Sequence, residues 1–102
     1  ELDLDIYRKE DISLDLSNRQ VFFHDVHVVT LTPKTFELFY ILLERSPEPV
    51  HKEILFSAVE GKQRPELSRA LDILINRLRK ALPVLILRRI KAVKGFGYVY
   101  IR

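Results

Sequence analysis

The chain has 102 residues, of which 47% are hydrophobic and only three are glycine, so one folded domain with a single core is expected rather than disorder. It contains no cysteine, which excludes disulfides, thiolate metal sites and cysteine nucleophiles and is typical of a cytoplasmic protein. The net charge is +3, but residues 1–61 carry six Lys and Arg against twelve Asp and Glu, whereas residues 62–102 carry eleven against two. The basic second part indicates a polyanionic partner, either a nucleic acid or an anionic membrane surface.

Two further features bear on the kind of protein. The sequence contains no methionine, so its first residue is not expected to be the natural start, and we expect the C-terminal part of a longer regulator. No stretch approaches the roughly 20 apolar residues of a membrane span, and the N-terminal ELDLDIYRKED is too acidic for a signal peptide. Neither a membrane span nor a signal peptide is therefore expected, and of the two polyanions we predict a nucleic acid and no membrane as the partner.

Residues 1–31 have the pattern of antiparallel strands. ISLDL, QVFF and HVVTL are separated by the turn-prone SNR and by the short HDV. LDLDI, at residues 2–6, alternates between apolar and polar positions and is a further candidate strand. The sequence predicts a small, acidic β-meander.

The first of three helices predicted over residues 32–82 begins at Thr32. Thr32 can act as the N-cap, and Pro33 fits the first helical position. Thr35 stands where a capping box needs Glu or Gln, so that box is missing. The residues that follow are apolar nearly all round, so this helix is expected to be the buried, central one.

The second helix is predicted from about His51 to Glu60, with Gly61 placed to end it. A polar loop, KQRPEL, leads to the third helix, at about residues 66–82. Since each helical residue advances about 100° around the axis, the leucines and one isoleucine of the third helix form a single stripe that should face the core. The stripe consists of Leu67, Leu71, Leu74, Ile75, Leu78 and Leu82.

The opposite face of the third helix is mostly basic, with Ile73 at its centre. A single exposed apolar residue is common and need not have a function. A partner that offers both negative charge and methyl groups would explain the whole face. The DNA major groove is such a partner, because phosphates border it and thymine methyls line it.

Residues 85–102 are predicted to form a wing hairpin, because IKAVKGFGYVYIR has alternating arms around a glycine-containing, basic tip. Two helices joined by a short turn and followed by such a hairpin describe a winged helix-turn-helix. The predicted fold class is therefore α+β, with an N-terminal antiparallel β-meander, three helices and a C-terminal wing, all in one domain.

Four segments together resemble, in order and spacing, the winged-helix effector domain of OmpR/PhoB-type response regulators: LTPKTFELFYILLE, VHKEIL, SRALDILINRLRKAL and IKAVKGFGYVY. The resemblance covers essentially the whole chain. It implies a bacterial transcription factor in which a phosphorylatable receiver domain precedes this domain. It further implies that the third helix enters the major groove, that the wing reaches the minor groove and that the loop around residues 61–67 faces RNA polymerase. A monomer that dimerises on tandem DNA half-sites is the matching expectation.

The resemblance also assigns roles to single residues. Arg77 is expected to bind a guanine edge and Ile73 to contact thymine methyls, while Lys94 at the wing tip either enters the minor groove or contacts the backbone. Four residues are candidates for phosphate contacts: Arg69, Asn76, Arg79 and Lys80. For Arg79 a salt bridge within the protein is an equal possibility, and Asp72 is expected to orient a nearby arginine.

Other chemistry has little support in the sequence. His24, His27 and Asp25 lack a fourth ligand at a typical spacing, so no metal is expected. No nucleophile motif or phosphate-binding glycine loop is present, so neither an enzyme nor a cofactor is expected. The alternative to DNA binding is a winged-helix module whose basic face binds an acidic protein.

Overall fold

The computed structural model describes residues 5–60 and 68–102, with the side chains of residues 5–58 and 71–102. The elements are β1 (Ile6–Lys9), β2 (Ile12–Asp15), β3 (Gln20–Phe23), β4 (Val26–Thr30), α1 (Pro33–Arg45), β5 (Val50–His51), α2 (Lys52–Glu60), α3 (Ser68–Ala81), α4 (Val84–Leu87), β6 (Ile90–Val93) and β7 (Gly97–Tyr100). The predicted order of meander, helices and hairpin is confirmed. The first strand lies later than LDLDI, whose residues 2–4 are outside the described part.

The N-terminal meander is a four-stranded antiparallel sheet in the order β1-β2-β3-β4. One face is buried, because Ile12, Leu14 and Val21 point into the core. At the turn between β3 and β4, His24 and Asp25 have φ angles of 52° and 66°. Positive φ at both central residues matches the right-handed twist of the flanking strands, which explains why a hairpin forms there.

Helix α1 is the central helix, as predicted, and packs against α2, α3 and β7. Phe36, Leu38, Phe39, Leu42 and Leu43 are buried on it. Thr32 is the N-cap residue but its side chain makes no capping bond, which agrees with the missing capping box. The buried Thr35 in this turn is satisfied locally, since its hydroxyl donates to the Thr32 carbonyl oxygen at 3.2 Å.

The C-terminal sheet has three strands in the order β5-β7-β6, one more than the predicted hairpin. Strand β5 has only two residues, too few to show an alternating pattern, and its pairing with β7 depends on Gly97. A Cβ atom at Gly97 would lie 2.0 Å from the Val50 carbonyl oxygen, so the two backbones can approach only because this residue lacks a side chain.

The hairpin begins at Ile90 and not at residue 85, which corrects the predicted boundary. Residues Val84–Leu87 form the short helix α4 instead. Pro83 precedes this turn, and its carbonyl oxygen accepts bonds from the backbone N–H groups of Ile86 and Leu87, both at 2.9 Å. An apolar run such as VLIL does not by itself distinguish a strand from a buried helical turn.

A buried ion pair joins the two sheets. Both terminal nitrogens of Arg89, just before β6, donate to the two carboxylate oxygens of Asp11 at 3.0 Å, and Arg89 also donates to the Tyr100 hydroxyl at 2.8 Å. The Arg89 guanidinium holds the pKa of the Asp11 carboxyl below its usual value of 3.8. The same bond raises the pKa of Arg89. This bidentate contact ties the β1–β2 turn to the base of the wing.

Candidate nucleic-acid interface

The predicted buried stripe of α3 is present. Leu71, Leu74, Ile75, Leu78 and Leu82 are buried, and Leu67 lies outside the described residues. These side chains belong to the same core as α1 and the meander. The stripe therefore fixes which side of α3 faces outward.

The outward side of α3 presents Ile73, Asn76, Arg77 and Lys80, all of them exposed. Ile73 is 48% exposed although it is fully apolar, so its position within a charged surface is as predicted. Arg77 borders an open groove of about 470 Å³ that also includes Thr32 and Leu74, at the start of α1. The structure thus brings together the predicted base-contacting residues with two of the predicted phosphate contacts. The side chain of Arg69, a third, lies outside the described residues.

Arg79 lies apart from these exposed residues. One of its terminal nitrogens donates to the Ile90 carbonyl oxygen at 3.0 Å. Its guanidinium carbon lies 5.9 Å from the centre of the Tyr98 ring, within the range of a cation–π contact. Arg79 therefore holds the wing through a hydrogen bond to a backbone carbonyl and a ring contact, which are not the salt bridge that the sequence raised as a possibility.

Asp72 places a carboxylate near the start of α3, and its partner among the described side chains is Tyr98. The Tyr98 hydroxyl donates to Asp72 Oδ1 at 2.5 Å. Burial, followed by this bond to the carboxylate, raises the pKa of Tyr98 to about 12. The hydroxyl of Tyr98 is therefore satisfied, through a contact between α3 and β7 that the sequence does not predict.

The wing tip is built by Lys94, Gly95 and Phe96. Gly95 has a φ of 73°, a conformation that favours glycine. Lys94 is exposed at this tip, as predicted. Phe96, which the sequence places on the hairpin, makes an edge contact with the ring of His51, with ring centres 5.0 Å apart.

The tip of the wing is hydrogen-bonded to the start of α2. The backbone N–H of Lys52 donates to the Phe96 carbonyl oxygen at 2.9 Å, and His51 Nδ1 accepts from the backbone N–H of Glu53 at 3.0 Å. The sequence does not predict these contacts. The one signal that could have found them is Gly97, since a glycine inside a strand often marks a close approach of another backbone.

His24 and His27, the two histidines of the possible metal site, contact different side chains. His24 Nε2 lies 4.0 Å from Asp11 Oδ2, and His27 Nε2 lies 3.1 Å from the Thr30 hydroxyl. Within residues 5–60 and 68–102, no three His, Asp or Glu side chains come together in a way that could hold a metal ion. Over the same ranges, none of the helices has both the length and the apolar content needed to cross a bilayer.

The chain is similar in sequence to known transcription regulators. The chain is 33% identical over 90 residues to the transcriptional regulatory protein PmrA of Pectobacterium parmentieri, and 30% identical over 91 residues to BasR of Escherichia coli K12. These alignments cover 88% and 89% of this chain and 39% of each relative. The chain thus spans about two fifths of the length of the curated relatives it matches.

Solved structures agree with this relationship. The DNA-binding domain of Klebsiella pneumoniae RstA, in complex with the RstA box, has a TM-score of 0.77 at 26% identity, covering 94% of this chain and 96% of that one. The DNA-binding domain of Escherichia coli CpxR has a TM-score of 0.77 at 25% identity, covering 94% and 95%. Residues 26–100 match the family described as "Transcriptional regulatory protein, C terminal". The chain therefore belongs to this family, the winged-helix effector domains of OmpR/PhoB-type response regulators.

Proposed function

We propose that the chain binds double-stranded DNA sequence-specifically as the output domain of a transcriptional response regulator. The observation that carries this proposal is the exposed face of α3, where Ile73 and Arg77 lie beside Lys80 on the basic part of the chain. The RstA domain, which has the same fold, was solved on its DNA box. The position of the wing beside α3 supports insertion of α3 into the major groove and of the wing into the adjacent minor groove.

Each exposed side chain then has a proposed role. Arg77 reads a guanine edge and Ile73 packs against thymine methyls. Asn76 and Lys80 bind phosphates and position the helix without reading sequence, and Arg69 is proposed for the same role. Lys94 contacts the minor groove or its backbone. Arg79 is assigned to the wing junction, because its guanidinium already binds the Ile90 carbonyl.

We also propose which domain accompanies this one in the whole protein, what it assembles with and where it is located. A receiver domain precedes this domain, since the relatives are more than twice as long as the matched segment. The domain is monomeric when free and forms a dimer on tandem half-sites about one helical turn apart. RNA polymerase is proposed to bind the loop at residues 61–67, which lies outside the described residues. The cytoplasm is the proposed location.

The first test measures fluorescence anisotropy of a labelled random-sequence duplex across a salt series. Neutralising about four to six phosphates predicts a slope of log K against log salt of roughly −3.6 to −5.4. Lys80→Ala should make the slope shallower by about 1. Arg8→Ala is the matched control: Arg8 is an exposed cation on β1, paired with Asp25 and outside the proposed interface, so its loss should leave the slope unchanged.

Sequence preference is tested by selection from a random duplex library. One enriched sequence, bound at least about a thousandfold more tightly than random DNA, is expected for a specific domain. Salt-dependent binding without enrichment would reduce the proposal to non-specific DNA binding. No binding at low salt would contradict DNA binding altogether and favour an acidic protein as the partner of the basic face.

A further inference from the structure

Asp72 is a carboxylate at the edge of a surface that is proposed to meet phosphates. A negative charge there weakens the attraction to DNA. We therefore expect the carboxylate to have a role within the protein. The structure provides one, because the Tyr98 hydroxyl donates to Asp72 Oδ1 at 2.5 Å. This bond connects α3 directly to the central strand of the wing sheet.

A second tie lies farther along the same side of α3. Arg79 donates to the Ile90 carbonyl oxygen on β6, and its guanidinium carbon lies 5.9 Å from the centre of the Tyr98 ring, within the range of a cation–π contact. The Tyr98 side chain therefore contacts both Asp72 and Arg79, while β6 and β7 are each held to α3. We call the set of Asp72, Tyr98, Arg79 and Ile90 the wing clasp.

The wing clasp borders the space between the two DNA-binding elements. A cleft of about 250 Å³ separates α3 from the wing, and Asp72, Ala92, Lys94 and Tyr98 line it. In a DNA duplex one phosphate backbone separates a major groove from the adjacent minor groove. If α3 and the wing occupy those two grooves, that backbone passes across this cleft, and the clasp sets its width.

We propose that Tyr98 is a positioning residue, which by donating to Asp72 holds the wing at the separation from α3 that both grooves require. A wing fixed before binding loses less conformational freedom on DNA, so α3 and the wing bind as one unit. This role rests on the proposed function, since it concerns how the same interface engages DNA.

The test uses two substitutions that both remove the charge of Asp72. Asp72→Asn keeps an oxygen that can accept the Tyr98 hydroxyl, whereas Asp72→Ala removes the acceptor. Affinity is measured on the duplex that the wild-type chain enriches, in the wild-type background and with Tyr98→Phe. Circular dichroism melts establish that every variant is folded at the assay temperature. Tyr7→Phe is the matched control, because Tyr7 is a half-buried tyrosine that packs on Tyr40, away from the wing.

We expect Asp72→Ala to bind about three- to tenfold more weakly than Asp72→Asn, the effect of one hydrogen bond. With Tyr98→Phe, the difference between the two Asp72 variants should disappear, since the bond is already absent. Lys94→Ala should also reduce affinity less in the Tyr98→Phe background than in the wild-type background, because a loosely held wing contributes less to DNA binding. Tyr7→Phe should leave affinity unchanged.

Three outcomes would overturn this role. Lower melting temperatures with unchanged affinities would make the clasp a stabilising contact only. Weak binding by Tyr98→Phe, with Asp72→Ala equal to or tighter than Asp72→Asn, would mean that the Tyr98 hydroxyl contacts DNA directly. If the wild-type chain enriches no duplex, the proposed function fails first, before any variant is compared, and the positioning role fails with it.

Discussion

Asp11 and Arg89 are separated by 78 positions in the chain, yet their side chains meet in a bidentate ion pair with both contacts at 3.0 Å. Asp11 is only 6% exposed and Arg89 is 18% exposed, so water screens the pair weakly. Removing Asp11 leaves the largely buried Arg89 guanidinium with its hydrogen bond to the Tyr100 hydroxyl but without this carboxylate. The contact is therefore expected to stabilise the domain more than a surface pair would.

Asp11→Ala should lower the free energy of unfolding by about 2 to 4 kcal/mol at neutral pH. Urea unfolding followed by circular dichroism measures this difference. The matched control is Arg8→Ala, which breaks the exposed pair with Asp25 and leaves the turn residues unchanged, and it should cost no more than about 1 kcal/mol. Equal losses for the two variants would show that burial adds nothing to the Asp11 contact.

Acid should remove the contribution of the Asp11 carboxylate to the stability of the fold. The folded state lowers the pKa of Asp11 below 3.8, so the carboxylate stabilises the fold above that pH. As the pH falls through 3.8 and then through the lower folded-state pKa, Asp11 takes up a proton and this contribution is lost. The stability difference between wild type and Asp11→Ala should shrink over that acid range. A difference independent of pH would exclude the charge as its source.

The two wing glycines should respond differently to alanine. Gly97→Ala places a Cβ atom 2.0 Å from the Val50 carbonyl oxygen, so β5 and β7 must separate. Such overpacking against backbone should cost about 3 kcal/mol or more. At Gly95 no atom lies within 4 Å of the added Cβ, and the cost comes only from the φ of 73°. Gly95→Ala should therefore cost only about 1 to 2 kcal/mol in the same unfolding assay.

Arg77 and Lys80 should affect DNA binding in different ways. On the enriched duplex, Arg77→Ala should cost about 1 to 3 kcal/mol and relax base preference at one position. Lys80→Ala should weaken binding to enriched and random duplexes by the same factor. Both effects are measured as ratios of dissociation constants. An equal loss on both duplexes for Arg77→Ala would assign Arg77 to phosphate binding instead.

The contact proposed for Ile73 can be tested by changing the DNA alone. Replacing thymine by uracil in the enriched duplex removes the 5-methyl group and little else. Wild type should then lose about 0.8 kcal/mol for each methyl group that it buries. Ile73→Ala should already lack this contact and bind the thymine and uracil duplexes equally. Equal sensitivity of the two proteins to uracil would place the thymine methyl contact elsewhere.

The sequence predicts the parts of the structure that depend on local periodicity. The buried stripe of α3 follows from helical spacing alone, and Ile73 was placed on the outer face for the same reason. Strand β5 was not predicted, because two residues carry no period and its pairing depends on a strand more than forty positions away. The sequence does not predict helix α4, because a short apolar run such as VLIL fits either a strand or a helical turn.

The candidate site also combines features that local sequence patterns predict with features that depend on distant contacts. Local sequence patterns predict that Ile73, Arg77 and Lys94 are exposed. They do not predict the contacts that hold α3 and the wing together. The bond between Tyr98 and Asp72 joins residues 26 positions apart and depends on how the wing packs on α3. A sequence shows that Asp72 is acidic within a basic helix, but only the tertiary arrangement shows which hydroxyl it accepts from.

The order of the C-terminal sheet, β5-β7-β6, has a consequence for how the chain is made on the ribosome. Strand β5 leaves the ribosome before α2 and α3, but β7, to which it pairs, is synthesised only after β6. In the meander each strand pairs with its neighbour in the chain, so this sheet can assemble as it emerges. The wing sheet cannot close until β7 is available, so the surface that joins α3 to the wing is the part of the domain completed last during synthesis.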